Sequence, residues 1–449
     1  MTAVLTAQTS ASTARRDIAP AQVHDVLGRS ILADGMDLVL DLDRSRGSYL
    51  VDARDGSRYL DMFTFFASSA LGMNHPALAD DETFRAELAE AAVNKPSNSD
   101  IYTVPMARFV ETFARVLGDP ALPHLFFVDG GALAVENALK VAFDWKSRHN
   151  EARGLSPELG TKVLHLRGAF HGRSGYTLSL TNTDPNKVAR FPKFDWPRID
   201  APYIRPGVDG RALDEIESES LRQARAAFEA NPHDIACFLA EPIQGEGGDR
   251  HFRPQFFAAM RALCDEFDAL LIFDEVQTGC GLTGTPWAYQ QLGVTPDVVA
   301  FGKKTQVCGV MAGGRVDEIA DNVFHVSSRI NSTWGGNLVD MVRSRRILET
   351  IEAEGLLDRA AELGRHLLAR LDELAAEFPA TVLDVRGRGL MCAFTLPSAG
   401  RRDELVARLW EQAVVMLASG EASVRFRPAL TVSRAELDLA VDAVRDALS

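Results

Sequence analysis

The sequence has few cysteines and relatively few basic residues, and these two deficits exclude several kinds of protein. Five cysteines occur among 449 residues, and they form neither a CxxC pair nor a histidine–cysteine cluster. We therefore expect no disulfide framework, no structural metal site and a reduced, cytoplasmic compartment. The 62 acidic residues outnumber the 48 basic ones, and the formal net charge of −14 argues against binding to nucleic acid.

Long apolar runs are also missing. No segment of about eighteen consecutive apolar residues occurs, so we expect no membrane span. The first residues, MTAVLTAQTSASTARRD, contain Arg15 and Arg16 but no apolar core behind them. We predict a flexible tail over residues 1–18 rather than a signal peptide. The composition, 46% hydrophobic and 24% charged, is that of a soluble enzyme, and the length predicts more than one lobe.

Strand and helix patterns alternate from about residue 104 onward. Short apolar runs (LFFV, KVLHL, IACFLA, LLIF and VVAF) alternate with amphipathic segments, which predicts an α/β fold with a mostly parallel central sheet. The segment MDLVLDLDRSRGSYLVDARDGSRYLD, residues 36–61, shows the period-two alternation of small strands, and the last helix begins with a capping box at Ser433 and Glu436. We predict a large domain over residues 76–335 and a smaller α+β domain built from residues 19–75 and 336–449.

Two apolar runs end in an acid and a lysine. Residues 270–273 precede Asp274, and residues 298–301 precede Gly302 and Lys303. Strands that are buried on both faces look like such runs, and open α/β sheets bind ligands at the carboxyl ends of their strands. This pair is typical of a pyridoxal phosphate site, where a lysine forms a Schiff base and a carboxylate contacts the pyridinium nitrogen. Lys304 is a competing candidate for the lysine.

Glycines between a strand and a helix offer a possible phosphate site. The segment Asp129-Gly130-Gly131-Ala132 lies between LFFV and an amphipathic helix. A helix N-terminus offers unpaired N–H groups, and glycines allow the backbone to approach a phosphate closely. The segment lacks both the GxGxxG spacing and the P-loop lysine, which argues against NAD or ATP. Taken alone, these glycines are more typical of an ordinary strand-to-helix turn than of a phosphate site.

Several motifs in one order resemble a known family. They are AFHGR (169–173), EPIQGEGG (241–248), DEVQTG (274–279) with the following run to Lys303, and RFRP (425–428). The chain after residue 20 resembles the class III aminotransferases, the ornithine and 4-aminobutyrate type, of pyridoxal-phosphate fold type I. The resemblance implies pyridoxal 5'-phosphate as cofactor, small-molecule substrates and a homodimer with shared active sites.

The resemblance also implies a role for individual residues. Lys303 would be the Schiff-base lysine, and Asp274 would pair with the ring nitrogen. The other implied cofactor contacts are Gln277 at the ring hydroxyl, Val276 and Phe170 on the two ring faces, Gly131 and Ala132 at the phosphate through backbone N–H groups, and Thr333 at the phosphate of the other subunit's cofactor.

Four residues are implied in substrate binding: Arg173, Glu246, Arg425 and Asn331. Guanidinium groups bind carboxylates bidentately, so two arginines suit a dicarboxylate such as 2-oxoglutarate or glutamate. An amine donor with one carboxylate would leave one of the two arginines without a carboxylate to bind. By resemblance, Glu246 pairs with Arg425 when such a donor is bound and swings away for the dicarboxylate.

The segments GGALAVENALK, FHGRSGYTLSLTNT and FGKKTQVCGVMAGG are similar to family members that act on the ε-amine of L-lysine. That likeness implies transfer of this amine to 2-oxoglutarate, giving 2-aminoadipate 6-semialdehyde and L-glutamate. Ornithine, 4-aminobutyrate and diaminobutyrate remain possible donors, because one methylene in a pocket changes binding by only about 1–3 kcal/mol.

Two functions outside amine transfer are also compatible with this fold. One is that of a pyridoxal-phosphate isomerase or decarboxylase, and the arginine pair argues against it because neither chemistry requires a dicarboxylate acceptor. The other is that of a catalytically idle binding protein, and the intact Asp274 and Lys303 argue against it.

Overall fold

The computed structural model describes residues 17–205, 207–208 and 210–449. Residues 1–16 of the predicted tail lie outside the described residues. The helices, numbered along the chain, are α1 (Val23–Gly28), α2 (Thr64–Ala67), α3 (Pro76–Ala79), α4 (Glu82–Val93), α5 (Val104–Val116), α6 (Gly131–Ala152), α7 (Thr177–Leu180), α8 (Pro185–Val188), α9 (Gly210–Ala230), α10 (Pro254–Glu266), α11 (Leu338–Ala353), α12 (Leu356–Glu377), α13 (Ala399–Glu411) and α14 (Arg434–Leu448). Among the described residues, no helix combines the length and apolar character that a membrane crossing requires.

The strands are β1 (Tyr49–Val51), β2 (Arg58–Asp61), β3 (His124–Val128), β4 (Lys162–Leu166), β5 (Arg198–Ile199), β6 (Ile235–Ala240), β7 (Ile243–Gln244), β8 (Arg250–His251), β9 (Leu270–Asp274), β10 (Val298–Phe301), β11 (Cys308–Ala312), β12 (Leu383–Arg388), β13 (Met391–Thr395), β14 (Val414–Val415), β15 (Leu417–Ser419) and β16 (Ser423–Phe426).

The central sheet has seven strands in the order β3-β11-β10-β9-β6-β4-β5. The pairs from β10 through β9, β6 and β4 to β5 are parallel, whereas β11 is antiparallel to both of its neighbours. The prediction of a mostly parallel sheet in an α/β fold is therefore confirmed, with β11 as the exception.

The strands at the centre of the sheet are buried on both faces. Along β9, Leu271 and Phe273 contribute to one hydrophobic core, and Leu270 and Ile272 contribute to a second core on the opposite face. This alternation explains why the sequence of β9 is apolar at every position before its final aspartate. Helix α6 packs into the second core, so its N-terminus lies near the strand ends.

Two smaller sheets involve the ends of the chain. The antiparallel sheet β12-β13-β16-β15 comes from the C-terminal part, and the sheet β1-β2-β14 joins N-terminal β2 to C-terminal β14. This joining supports a small domain made from both ends of the chain, whose boundaries at residues 75 and 336 stay a prediction.

Element α2 is a left-handed turn. Its four residues have φ values of 43°, 53°, 59° and 65°, a conformation that costs an L-residue roughly 1–2 kcal/mol. Hydrogen bonds hold this turn: Asp61 Oδ1 accepts from the N–H of Thr64 at 2.7 Å, and Thr64 Oγ1 donates to the Arg427 carbonyl at 2.6 Å. Lys304 Nζ donates to the Ala67 carbonyl at 3.0 Å. This hydrogen bond connects the strained turn to Lys304, the residue that follows Lys303.

Candidate active site

Neighbouring strands bring the acid and the lysine to one edge of the sheet. Asp274 ends β9 and pairs in register with Ala300 of the parallel strand β10. Phe301 ends β10, and Lys303 begins a short 3-10 helix, Lys303–Thr305, directly behind it. Because both strands end at the same edge, the carboxylate and the amine reach one cavity.

That cavity has a volume of about 330 Å³. Nine of the twelve residues predicted from the sequence line it: Gly131, Ala132, Phe170, Arg173, Glu246, Asp274, Val276, Gln277 and Lys303. His171, Gly172, Glu241, Ile243 and Thr278 complete the lining. The cavity therefore joins the ends of β9 and β10, the N-terminus of α6 and the loops after β4 and β6.

The Asp274 carboxylate is buried beside His171. Asp274 Oδ2 lies 2.8 Å from His171 Nδ1, and Asp274 Oδ1 accepts from the Val276 N–H at 3.1 Å. A carboxylate can only accept, so the imidazole carries its proton on Nδ1. The other ring nitrogen, Nε2, is buried and has no hydrogen-bond partner among the described residues. His171 thus orients Asp274 toward the cavity.

Glu241 is a second buried carboxyl in this cavity. Its oxygens accept hydrogen bonds from the N–H groups of Phe170 and Gly245, both at 3.0 Å. Burial raises the pKa of Glu241 to about 7, and the charge of Asp274 acts in the same direction while His171 opposes the shift. Glu241 fixes the backbone at Phe170, the residue predicted to lie on one face of the cofactor ring.

The two lysines after β10 have different surroundings. Burial lowers the pKa of Lys303 to about 8, and the positive charges of Arg425 and Arg427 act in the same direction. Lys304 is turned away from the cavity: its Nζ donates to the carbonyls of Ala67 and Gln277, at 3.0 and 2.9 Å. Of these two lysines, Lys303 lines the cavity, and Lys304 holds two backbone segments together.

The N-terminus of α6 offers backbone donors to the cavity. The first N–H groups of an α-helix have no partner within the helix, and the N-cap residue Gly130 has no side chain to accept from them. Gly130 has φ of 102°, which favours glycine. A Cβ on Gly131 would lie only 2.8 Å from Val276 Cγ1, so glycine at this position lets the start of α6 approach Val276 closely. The result is a site for an anionic group.

Three charged side chains, those of Glu246, Arg425 and Lys187, meet at one side of the cavity. Glu246 accepts a hydrogen bond from Arg425 Nη2 at 3.3 Å on one oxygen and a short hydrogen bond from Lys187 Nζ on the other. Burial raises the pKa of Glu246, but these two cations lower it more, so its pKa lies below the ordinary value. Arg173 is exposed, and its Nε donates to the Lys187 carbonyl at 3.2 Å.

Arg427 supports the cavity from behind. Its guanidinium pairs with the buried Asp249 and donates from Nη2 to Gln277 Oε1 at 3.0 Å. Its backbone N–H also donates to the Met62 carbonyl at 2.8 Å. This arginine therefore fixes the Gln277 side chain and connects it to the segment before the left-handed turn.

Three predicted residues lie outside the cavity lining. Arg425 is buried on strand β16 and reaches the cavity through Glu246. Asn331 and Thr333 are exposed and do not line the cavity of their own chain. Their loop is held by Ser99, whose Oγ donates to the Ser332 carbonyl at 2.5 Å.

The sequence of the chain matches a known protein family. The sequence pattern of the aminotransferase class-III family matches residues 31–448. The chain belongs to the class III aminotransferases. The L-lysine-epsilon aminotransferase of Mycobacterium tuberculosis is 76% identical over 439 residues, which are 98% of each chain. The L-lysine-epsilon aminotransferase of Amycolatopsis lactamdurans is 59% identical over 432 residues, 95% of each chain.

A solved structure shows the same fold. The lysine aminotransferase of M. tuberculosis, in its internal aldimine form, superposes with a TM-score of 0.96 at 77% identity. The match covers 96% of this chain and 99% of that one. The fold is therefore that of the class III aminotransferases.

The cavity fits pyridoxal 5'-phosphate, the cofactor of class III aminotransferases. The uncapped N-terminus of α6 suits its phosphate, the buried Asp274 suits a protonated ring nitrogen, and the Lys303 amine suits its aldehyde. A side chain at Gly131 would crowd Val276. These groups are thus complementary to the phosphate, the ring nitrogen and the aldehyde of the cofactor.

Four charged or titratable residues that shape this site were not predicted from the sequence. His171, Glu241 and Arg427 stand inside the motifs AFHGR, EPIQGEGG and RFRP, so position in a motif was the available signal. Lys187 follows a proline in a short helix, Pro185–Val188, and nothing in its sequence surroundings indicates that its amine reaches Glu246.

Proposed function

We propose that this class III aminotransferase transfers the ε-amino group of L-lysine to 2-oxoglutarate. The products are 2-aminoadipate 6-semialdehyde and L-glutamate, formed in two half-reactions that use one cavity in turn. The observation that carries the proposal is the pairing of buried Arg425 with Glu246 beside Lys303. In this arrangement Glu246 can cover the Arg425 guanidinium when an amine with one carboxylate is bound, and can uncover it for the second carboxylate of a dicarboxylate.

Lys303 is proposed as the group that moves the proton. When bound, pyridoxal phosphate supplies a carbonyl carbon that condenses with amines and a ring that withdraws electrons from the neighbouring carbon. Lys303 takes a proton from Cε of lysine, which requires a neutral amine. Burial lowers the pKa of Lys303 from the ordinary 10.5 to about 8, so a much larger fraction of the amine is neutral at neutral pH.

Asp274 and His171 are proposed to keep a negative charge opposite the ring nitrogen. The Nδ1–H of His171 donates to Asp274 Oδ2 at 2.8 Å, so this carboxylate has a hydrogen-bond donor within the protein. The same hydrogen bond fixes the direction in which Asp274 presents its oxygens. Without this anion the ring nitrogen would lose its proton more readily, and electron withdrawal would weaken.

Arg173 and Arg425 are proposed to bind carboxylates at different times. Lysine has one carboxylate, far from its reacting Cε, and the exposed guanidinium of Arg173 suits it. In that half-reaction Glu246 covers Arg425. The second carboxylate of 2-oxoglutarate displaces Glu246 and pairs with Arg425 directly. Asn331 is proposed as a further substrate contact, from the partner's chain.

We also propose a homodimer in which Thr333 of one subunit contacts the cofactor phosphate in the other. Thr333 is exposed in its own chain, beside the half-exposed Trp334. Asn98 and Ser99 connect this loop to the segment that carries Ile101 and Tyr102, which are 69% and 76% exposed. Apolar side chains this exposed are typical of a subunit interface.

The five cysteines support a cytoplasmic location. All of them are buried and free of disulfide bonds, and proteins of reducing compartments keep their thiols in this state. We therefore propose that the enzyme works in the cytoplasm, where both substrates are small soluble molecules.

A single-turnover experiment tests the proposed reaction. L-Lysine without 2-oxoglutarate should convert the yellow cofactor to its amine form and release one equivalent of semialdehyde, and 2-oxoglutarate should restore the colour. Ornithine and 4-aminobutyrate serve as comparison donors. A faster conversion with either would replace lysine as the donor, and no conversion with any of the three would contradict the proposed function.

A further inference from the structure

Glu246 lies between an inner and an outer cation. The inner cation is Arg425, whose side chain is 3% exposed, and the outer one is Lys187, whose side chain is 31% exposed. Each cation binds a different oxygen of the carboxylate, and the Arg425 hydrogen bond, at 3.3 Å, is the longer of the two. Loss of the contact with Arg425 therefore leaves the Lys187 contact available.

Lys187 also touches the other residues on this side of the cavity. Its ammonium lies 5.7 Å from the centre of the Phe170 ring, within the range of a cation–π contact. Its carbonyl accepts the 3.2 Å hydrogen bond from Arg173 Nε. The short helix that carries it is capped by Asp184, whose Oδ1 accepts from the Asn186 N–H at 2.9 Å. Lys187 is thus held at the mouth of the cavity.

A carboxylate that leaves Arg425 needs another partner. Glu246 is half-buried, and a buried charge without a counter-ion or hydrogen bond is strongly disfavoured. If Lys187 were absent, Glu246 would pair with Arg425 alone, and a dicarboxylate substrate would have to break its only ion pair. With Lys187 present, the outgoing carboxylate keeps one of its two cations.

We propose that Lys187 is a positioning residue that retains Glu246 when a dicarboxylate acceptor binds Arg425, and so favours the 2-oxoglutarate half-reaction. This inference rests on the proposed function, because it assigns the residue to one of the two half-reactions. Lys187 acts through Glu246 and contacts no reacting atom.

The test compares the two half-reactions in Lys187→Met. The half-reaction with 2-oxoglutarate should lose about 10- to 100-fold in apparent affinity, as expected for the loss of one charge-assisted hydrogen bond. The limiting rate and the lysine half-reaction should change less than about threefold. Lys187→Arg should restore most of the affinity. Lys140→Met, an exposed lysine on α6, is the matched control and should behave as the parent enzyme.

Equilibrium binding and a double variant separate this role from a structural one. Calorimetric affinity for glutarate, an unreactive dicarboxylate, should fall by the same factor in Lys187→Met. In a Glu246→Ala background, Lys187→Met should have no further effect on glutarate, because the carboxylate it retains is gone. Lys187→Gln provides a second variant if the methionine variant folds poorly.

Three results would overturn the inference. They are an unchanged affinity for glutarate, equal losses in both half-reactions, or a loss that persists in the Glu246→Ala background. Each can be observed while the parent enzyme still converts lysine and 2-oxoglutarate, so failure of this inference is distinct from failure of the proposed function.

Discussion

Replacement of Glu246 by alanine should separate the two half-reactions. In the folded protein its carboxylate neutralises Arg425 on one side and Lys187 on the other. Without it, lysine would enter a cavity whose two cations are uncovered, and Arg425, the proposed second carboxylate site, would compete with Arg173 for the single carboxylate of lysine. A charge-assisted hydrogen bond contributes about 1.5–3 kcal/mol, and each 1.36 kcal/mol is a factor of ten in rate. We therefore expect kcat/KM for lysine to fall about 10- to 150-fold.

The acceptor should respond in the opposite direction. The 2-oxoglutarate carboxylate would no longer have to displace Glu246, so its kcat/KM should stay constant or rise. Stopped-flow absorbance of the cofactor measures the two half-reactions separately in the same preparation. Glu246→Gln, which keeps the size and removes the charge, should resemble the alanine variant. Glu229→Ala, an exposed carboxylate on α9, is the control. Equal losses for lysine and 2-oxoglutarate would refute the reasoning.

Three further predictions follow from the same contacts. Lys303→Ala should abolish both half-reactions while the cofactor still binds without a covalent bond; turnover that survives would transfer the role to Lys304. Reloading of the cofactor-free protein should accelerate with pH and level off above about 8, because burial lowers the pKa of Lys303 to about 8 and only the neutral amine attacks; an acceleration that continues toward the ordinary lysine value would contradict this. Arg427→Met should leave Asp249 buried without its cation, at a cost of about 3–5 kcal/mol. The entropy of unfolding is about 2.1 cal/mol/K per residue, so for 449 residues this loss of stability should lower Tm by about 3–5 °C. Asp249→Asn in the same chain should recover part of the lost stability.

The strands that position the site could be predicted because a strand buried on both faces is apolar along its length. Strands β9 and β10 are covered on both faces, so every position before Asp274 and up to Phe301 is apolar. The final helix was predictable for a local reason, since the capping box of Ser433 and Glu436 is present as expected. In these elements, local sequence and tertiary environment agree.

Other features depend on contacts between distant segments. The apolar run of β11 does not indicate in which direction the strand runs within the sheet, so its antiparallel pairing with β10 was not predictable. The left-handed turn Thr64–Ala67 contains no glycine, and its conformation depends on Asp61, Arg427 and Lys304. Tertiary hydrogen bonds override local preference there.

The candidate site shows the same division. Asp274 and Lys303 could be predicted because each closely follows an apolar strand. Lys187 could not, because its ion pair with Glu246 spans 59 positions of the chain and its own short helix has no apolar pattern. The roles of Thr333 and Asn331 stay a prediction, since they depend on a second subunit.

Isotopic labelling of the donor nitrogen tests the central claim most directly. L-Lysine carrying ¹⁵N only at the ε-position is incubated with the enzyme and 2-oxoglutarate, and the glutamate formed is analysed by mass spectrometry. If the ε-amine is the one transferred, the glutamate should carry ¹⁵N, and α-labelled lysine should give unlabelled glutamate. Label transfer from the α-position, or no labelled glutamate from the ε-position, would contradict the proposed transfer of the ε-amine.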